Sequence, residues 1–187
     1  FDSEKVIQAL PKCTVMMGVP TYYSRLLSSQ NLNKSNTSNV RLFISGSAPL
    51  LEDTFQEFKS RTGKEILERY GMTETNIISS NPIEGKRKPS SVGLCLQGQK
   101  LRIVDDANKP LNVEEIGDIQ VSGPNVFKGY WNLPDKTSEE FTPDHYFETG
   151  DKGYFDEDGY LFIVGRNKDM IITCLLYTSD AADEHSC

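Results

Sequence analysis

The chain has 187 residues, 37% of them hydrophobic and 25% charged, with a formal charge of −7. That length accommodates one or two domains with a true core. No apolar run approaches the roughly 18 residues of a membrane span, and the negative balance argues against nucleic acid or an anionic lipid surface as a partner.

The first predicted element is a short helix over 3–10, where Val6, Ile7 and Leu10 fall at helical spacing and Pro11 stops the run. CTVMMGV, Cys13 to Val19, is a continuous apolar stretch ending at Pro20, and it predicts a strand buried on both faces. PTYYSRLLSS reads as a loop entering a helix, and NLNKSNTSN as a polar connection. VRLFIS, Val40 to Ser45, is a second buried strand, broken by the small-residue loop GSAPL. From Leu51 to Thr62 the spacing predicts a helix with Leu51, Phe55 and Phe58 on one face. EILERYG gives a third strand, running into the turn YGMTET (Tyr70–Thr75) and the polar run NIISSNP.

Strand, helix, strand, helix, strand in that order predicts a parallel α/β sheet. Ligands of such sheets gather beyond the carboxyl ends of the strands. GSAPL and YGMTET both follow predicted strands, which places them at one site. After Lys86 the pattern changes. KLRIVD, GDIQVSG and DKGYFDEDGYLFIVGR alternate and are divided by Gly, Asp, Asn and Pro turns, as in a small antiparallel β subdomain. The predicted organisation is therefore an α/β portion over 1–86 and a β-rich subdomain over 87–165, followed by 166–173 and a tail over 174–187.

That tail, CLLYTSDAADEHSC, differs in composition from everything before it. The DNA TGT-CTC-TTA-TAC-ACA-TCT-GAC-GCT-GCC-GAC translates to Cys174–Asp183 without a mismatch, and it is the transposase end and adapter of sequencing libraries. Residues 174–187 are accordingly read as adapter-derived and set aside from the fold. The remaining charge is about −4. Only Cys13 and Cys95 are left, without metal-ligand spacing and with no case for a disulfide, so a reducing compartment is the default.

SGSAPL, YGMTET, GYW (Gly129–Trp131), ETGD (Glu148–Asp151) and GRNKD (Gly165–Asp169) occur in one order on one chain. This set resembles the adenylate-forming superfamily of acyl-CoA synthetases, luciferases and peptide-synthetase adenylation domains. MGVPTYYSRLL, RLFISGSAPL and LERYGMTETN are similar, more narrowly, to the malonyl-CoA synthetases. The resemblance implies an ATP-dependent, AMP-forming acid–thiol ligase. Its substrates would be ATP, malonate or a similar acid, and coenzyme A, with Mg²⁺ beside the phosphates.

The resemblance also implies roles. A carboxylate becomes a good electrophile only when its oxygen carries a leaving group such as AMP, so it must attack the α-phosphate in line with the phosphate charge neutralised. Tyr70 would stack on adenine, with the backbone of Gly46, Ser47 and Ala48 as the other wall, and Gly71 and Met72 complete the nucleotide-binding turn. Thr73 would donate to the α-phosphate. Glu74 would help hold Mg²⁺. Asp151 would accept from the ribose hydroxyls, with Arg166 near the ribose or phosphates. Without the family, Glu74 and Asp151 would pass as solvated charges or turn caps and Tyr70 as core packing.

A second carboxylate on the acid demands a paired cation. Arg25 in PTYYSRLL resembles the arginine of the malonate-specific pattern, and Arg69 is the second candidate; on spacing alone Arg25 would be a helix-surface arginine. Lys168 matches the hinge position of the family, with Asp169 beside it. The family's phosphate loop is expected upstream of Phe1, and its C-terminal domain, with a catalytic lysine, after Thr173. These residues alone are therefore expected to be inactive. A related ligase for methylmalonate or a short monocarboxylate is one alternative, and a truncated, inactive nucleotide-binding module is another. The compartment implied is the cytoplasm, or the mitochondrial matrix if the source is eukaryotic.

Overall fold

A computed structural model describes residues 1–166, together with the backbone of 170–173 and 176–179. The chain divides into two compact units, Phe1–Leu96 and Gln97 onward. The first unit runs past the change of pattern at Lys86, because the strands that follow the YGMTET turn complete its sheet.

The first unit opens with α1 (Ser3–Ala9), capped by the Asp2 side chain, which accepts from Lys5 N–H at 3.1 Å. A single 3-10 turn, Leu10–Lys12, carries Pro11 and leads to β1 (Val15–Gly18). Helix α2 (Pro20–Leu27) starts with proline in its first turn, where the missing N–H costs nothing. The polar connection is not featureless: α3 (Lys34–Thr37) forms there as one turn held by a reciprocal cap between Asn33 and Asn36. β2 (Leu42–Ser45), α4 (Glu52–Thr62) and β3 (Ile66–Met72) follow, and α4 stops at Gly63 with φ 71°.

β1, β2 and β3 are parallel neighbours, with Val15 opposite Leu42 and Phe43 opposite Ile66. The expected parallel α/β arrangement is present. β4 (Asn76–Ser80) and β5 (Leu94–Cys95) then add antiparallel strands, giving the order β1-β2-β3-β4-β5. β4 is the stretch read as a polar run. Its polar character is satisfied internally: Ser79 is buried and its hydroxyl donates to Val92 O at 3.0 Å. β1 was expected to be buried on both faces, but Met17 is 55% exposed, because its side chain lies with Ile44 on the cleft face, away from the helix-packed core.

The core of the first unit lies between the sheet and its helices, where Ile7, Leu10, Tyr23, Leu26, Phe43, Phe55, Phe58 and Ile66 are buried. Phe58 meets Phe43 and Tyr23 edge-on, at 4.9 and 5.5 Å between centroids. The Tyr23 hydroxyl donates to Ile44 O at 2.6 Å, so even this polar atom is used to tie α2 to β2.

The second unit is an antiparallel meander, β6 (Lys100–Val104), β7 (Gly117–Ser122), β8 (Phe147–Phe155) and β9 (Leu161–Arg166), hydrogen-bonded in that order. Helix α5 (Pro134–Glu139), which buries none of its residues, sits in the long β7–β8 connection. Phe127, Tyr130, Phe141 and Phe147 form an aromatic cluster beside it. The backbone of β10 (Met170–Thr173) pairs antiparallel with that of β11 (Leu176–Ser179). Lys168 and Asp169, the expected hinge, lie outside the described residues, as does the tail beyond the backbone of β11.

Candidate functional site

Three parallel strands with their crossover helices on one side leave three chain exits at one end of the sheet. In the first unit a cleft of about 280 Å³ opens there. The end of β1 contributes Met17 and Gly18, and Val19 and Tyr22 follow at the start of α2. Ile44, Gly46 and Ser47 come from the end of β2, Arg69 and Gly71 from β3, and Ile77 from β4.

Side-chain alternation along β3 decides what faces this cleft. Arg69 and Gly71 point one way, with Ile44 of β2 on the same side. Ile66, Glu68 and Tyr70 point the other way, with Ile66 among the core residues packed by the helices. Tyr70 is 9% exposed and is not among the cleft-lining residues.

The loop after β2 is pressed against β3. A Cβ on Gly46 would meet Arg69 O at 3.2 Å and the Arg69 side chain at 3.4 Å. A side chain there would push the neighbouring β3 backbone by a few tenths of an ångström, so glycine suits this close approach. Ser47 has φ 69°, which turns the chain away from the strand direction. Ser47 and Ala48 are exposed, and their backbone faces outward around Leu50, which is buried.

YGMTET is a hairpin corner rather than a free turn. β3 runs through Met72, the chain reverses over Thr73–Thr75, and β4 begins at Asn76 with φ 53°. Thr75 N–H donates to Met72 O at 3.2 Å, and Thr75 Oγ1 accepts from Met72 N–H at 3.4 Å. A Cβ on Gly71 would fall 1.9 Å from Asn76 O, so the corner closes at this tightness only with glycine. Thr73 is exposed and Glu74 half-buried at the tip. Among the described residues no cluster of three or more His, Cys, Asp or Glu side chains could hold a metal. A cation at Glu74 would thus draw its other oxygens from phosphate, which is how Mg²⁺ is commonly held.

Of the two predicted acid-binding arginines, Arg69 lies in the cleft wall. Arg25 is exposed on the last turn of α2 and does not line it. It does share a helix face with Tyr22, three residues earlier, while Tyr23 and Leu26 turn inward.

In the second unit Asp151 and Arg166 meet. They are register partners on β8 and β9, and Arg166 Nε lies 3.3 Å from Asp151 Oδ1. Asp151 is 6% exposed, and its N–H donates to Thr149 Oγ1 at 3.2 Å. Arg166 is largely exposed.

Sequence reasoning missed Tyr22, Ile44 and Ile77 as cleft-lining residues. It also missed Glu68, a carboxylate on the core side of β3. A charged residue inside the otherwise apolar run ILERY was the available signal for the last.

The family model that describes AMP-binding enzymes matches residues 2–131. This chain belongs to the AMP-binding enzyme family. Within that family it is 43% identical over 162 residues to malonate–CoA ligase of Arabidopsis thaliana, which covers 82% of this chain and 26% of that protein. It is 38% identical to a long-chain-fatty-acid–CoA ligase of Bacillus subtilis strain 168, over 92% of this chain and 31% of that one. The crystal structure of ATP-bound MatB from Rhodopseudomonas palustris superposes with a TM-score of 0.92 at 52% identity, over 96% of this chain and 36% of that one. The chain thus spans about a quarter to a third of the length of these relatives. As in other AMP-binding enzymes, a mixed sheet with helices precedes an antiparallel sheet. Among the described residues no helix is long and apolar enough to cross a membrane.

Proposed function

We propose that this chain is the central part of a longer ATP-dependent acid:CoA ligase, most like a malonate:CoA ligase. The acid would attack the α-phosphate of ATP to form an acyl-adenylate and pyrophosphate. The thiol of coenzyme A would then displace AMP. The observation that carries this reading is the cleft at the carboxyl ends of β1–β3, where a guanidinium, Arg69, faces inward beside a glycine-walled loop.

The backbone of Gly46, Ser47 and Ala48 forms one wall for adenine in this reading, with Gly71 and Met72 leading into the corner; Tyr70, expected as the stacking ring, is buried and does not line this cleft. Thr73 donates to the α-phosphate. Glu74, half-buried at the hairpin tip, fits one oxygen ligand of Mg²⁺. That ion supplies neutralisation of phosphate charge. Asp151 accepts from ribose hydroxyls, and Arg166 holds the carboxylate's orientation while remaining exposed enough to reach a phosphate. Lys168 and Asp169 serve as the hinge to a further domain.

The cleft wall is otherwise apolar, through Met17, Val19, Ile44 and Ile77. A second carboxylate in it needs a cation, and a guanidinium left unpaired there would penalise a monocarboxylate. Arg69 is in position, and Arg25 rises from the helix face that brings Tyr22 to the cleft. The similarity to a long-chain-fatty-acid ligase and the same apolar wall favour a second reading, a monocarboxylate substrate.

The test is malonate-dependent AMP formation by the full-length ligase carrying this sequence, compared with acetate and with Arg69→Ala and Arg25→Ala variants. Loss of malonate preference by about tenfold or more in either variant supports the dicarboxylate reading and names its arginine. Preference unchanged in both overturns it. ATP binding without any acid-dependent AMP formation would leave an inactive nucleotide-binding module.

A further inference from the structure

The most deeply buried carboxyl of the first unit lies on the opposite face of β3 from the cleft. Glu68 is 3% exposed and stands across the parallel ladder from Ser45, which is 1% exposed. Glu68 Oε1 and Ser45 Oγ are both buried without a hydrogen-bond partner. The other carboxyl oxygen, Oε2, accepts from Leu50 N–H at 3.4 Å.

Leu50 closes GSAPL, the loop that walls the cleft at Gly46 and Ser47. The KPSSVG loop reaches the same residue through its main chain. The Glu68 carbonyl accepts from Asn81 N–H at 2.9 Å and from Asn81 Nδ2 at 3.3 Å. Asn81 Nδ2 also donates to Ser91 O at 2.6 Å, and Asn81 Oδ1 accepts from Lys88 N–H at 3.0 Å. One strand residue therefore joins β3 to both loops.

An apolar side chain of the same volume would fill this position without the cost of desolvating a carboxyl. Burial raises its pKa to about 7, with the bond from Leu50 opposing the shift. What an apolar residue cannot do is receive the Leu50 N–H. The carboxyl is therefore a device for fixing a loop, not for filling space.

We propose that Glu68 is a positioning residue for the nucleotide. Its carboxyl holds the GSAPL loop on the end of β3, so that ATP affinity depends on a side chain that does not touch the cleft. This rests on the ligase reading above.

Two variants of the full-length ligase separate positioning from packing. Glu68→Gln keeps the shape and a carbonyl acceptor. Glu68→Met keeps the volume and removes every acceptor, and buried apolar replacements of this kind are commonly tolerated by the fold. Glu68→Met is expected to raise the KM for ATP about five- to tenfold, the size of one lost hydrogen bond, and to leave the KM for the acid within about twofold. Glu68→Gln is expected to stay within about twofold of wild type in both. Hydrogen exchange gives a readout independent of turnover. In the wild type the amide of Leu50 should exchange as slowly as neighbouring strand amides, and in Glu68→Met it should lose protection.

The proposal is overturned if Glu68→Met leaves the KM for ATP unchanged, or if it raises both KM values alike. It also falls if the wild-type Leu50 amide exchanges at a free-loop rate, a result that needs no variant to fold. Absence of ATP-dependent activity in the wild type would overturn the ligase reading instead. A protected Leu50 amide in that same protein would still support Glu68 as the tie that holds the GSAPL loop.

Discussion

The two units solve the burial of a sheet in opposite ways. In the first, β1, β2 and β3 run parallel, so each needs a crossover, and the helices cover one face while all three carboxyl ends release loops in the same direction. Chemistry-bearing residues then come from separate stretches, Gly18, Gly46 and Arg69, gathered only by topology. In the second, β6 to β9 form a meander in which every neighbour is also next in sequence. Its candidate pair for the ribose, Asp151 and Arg166, meets directly across one ladder. A parallel sheet builds a cleft from distant loops, whereas a meander builds a contact from adjacent strands.

The largest expected break in this comparison is in the core of the parallel unit. Phe58 is fully buried and touches Phe43 and Tyr23, so Phe58→Ala should cost about 4 kcal/mol. Peptide-resolved hydrogen exchange should then show protection lost across 1–96 while 97–166 change less. Equal loss in both would mean that the two units unfold as one.

Gly71→Ala comes next, since its Cβ would fall 1.9 Å from Asn76 O in the corner between β3 and β4. About 3 kcal/mol of stability should be lost, read from the urea midpoint, because the obstacle is backbone and cannot swing aside. A change below about 0.5 kcal/mol would show that the corner opens without cost.

The units should also respond oppositely to pH. Burial pushes the Glu68 carboxyl up to about 7 in the folded first unit. The folded protein therefore keeps a proton that the unfolded chain releases near its ordinary value, and stability falls as pH rises between the two. The loss should be on the order of 2 to 3 kcal/mol between pH 4.5 and pH 8, and Glu68→Gln should flatten it. In the second unit, hydrogen bonds from Arg102 and Thr142 hold the Asp144 carboxyl down at about 2. Its contribution is present above the ordinary aspartate value and is lost as pH falls toward 2. Protection monitored in 97–166 should decline on the acid side, weakly and less so in high salt, since the pair is exposed. The same direction of pH response in both units would contradict these assignments.

The smallest effect on stability is expected at Asp151. Arg166 is 70% exposed, so the ion pair adds less than about 1 kcal/mol, and Asp151→Asn should scarcely move the melting temperature. The KM for ATP in the full-length ligase should nonetheless rise about tenfold, because an amide cannot accept from two ribose hydroxyls as a carboxylate does. A parallel drop in melting temperature would mark Asp151 as structural.

Much of the first unit is written locally. Pro20 starts α2, Gly63 ends α4, and the apolar runs VMMG and LFIS form strands in the expected order. β4 was hidden because Ser79 and Ser80 look like loop residues until Val92 O and Asn81 O receive their hydroxyls. α5 was hidden for a different reason: it buries nothing, so no apolar periodicity marks it.

The sequence by itself determined the order of elements and the residue types at the strand ends, because continuous apolar runs, prolines and glycines act within a few neighbours. Only the tertiary structure decided which side of β3 each residue serves. A strand alternates its faces every residue, so a shift of one position in register would exchange Arg69 with Glu68. The pairing of Phe43 with Ile66 and Ser45 with Glu68 removes that choice by sending Ile66 into the helical core. Arg69 is left facing the cleft and Glu68 facing the opposite side, where its carboxyl accepts from Leu50, an assignment made by strand pairing more than twenty residues apart in the chain.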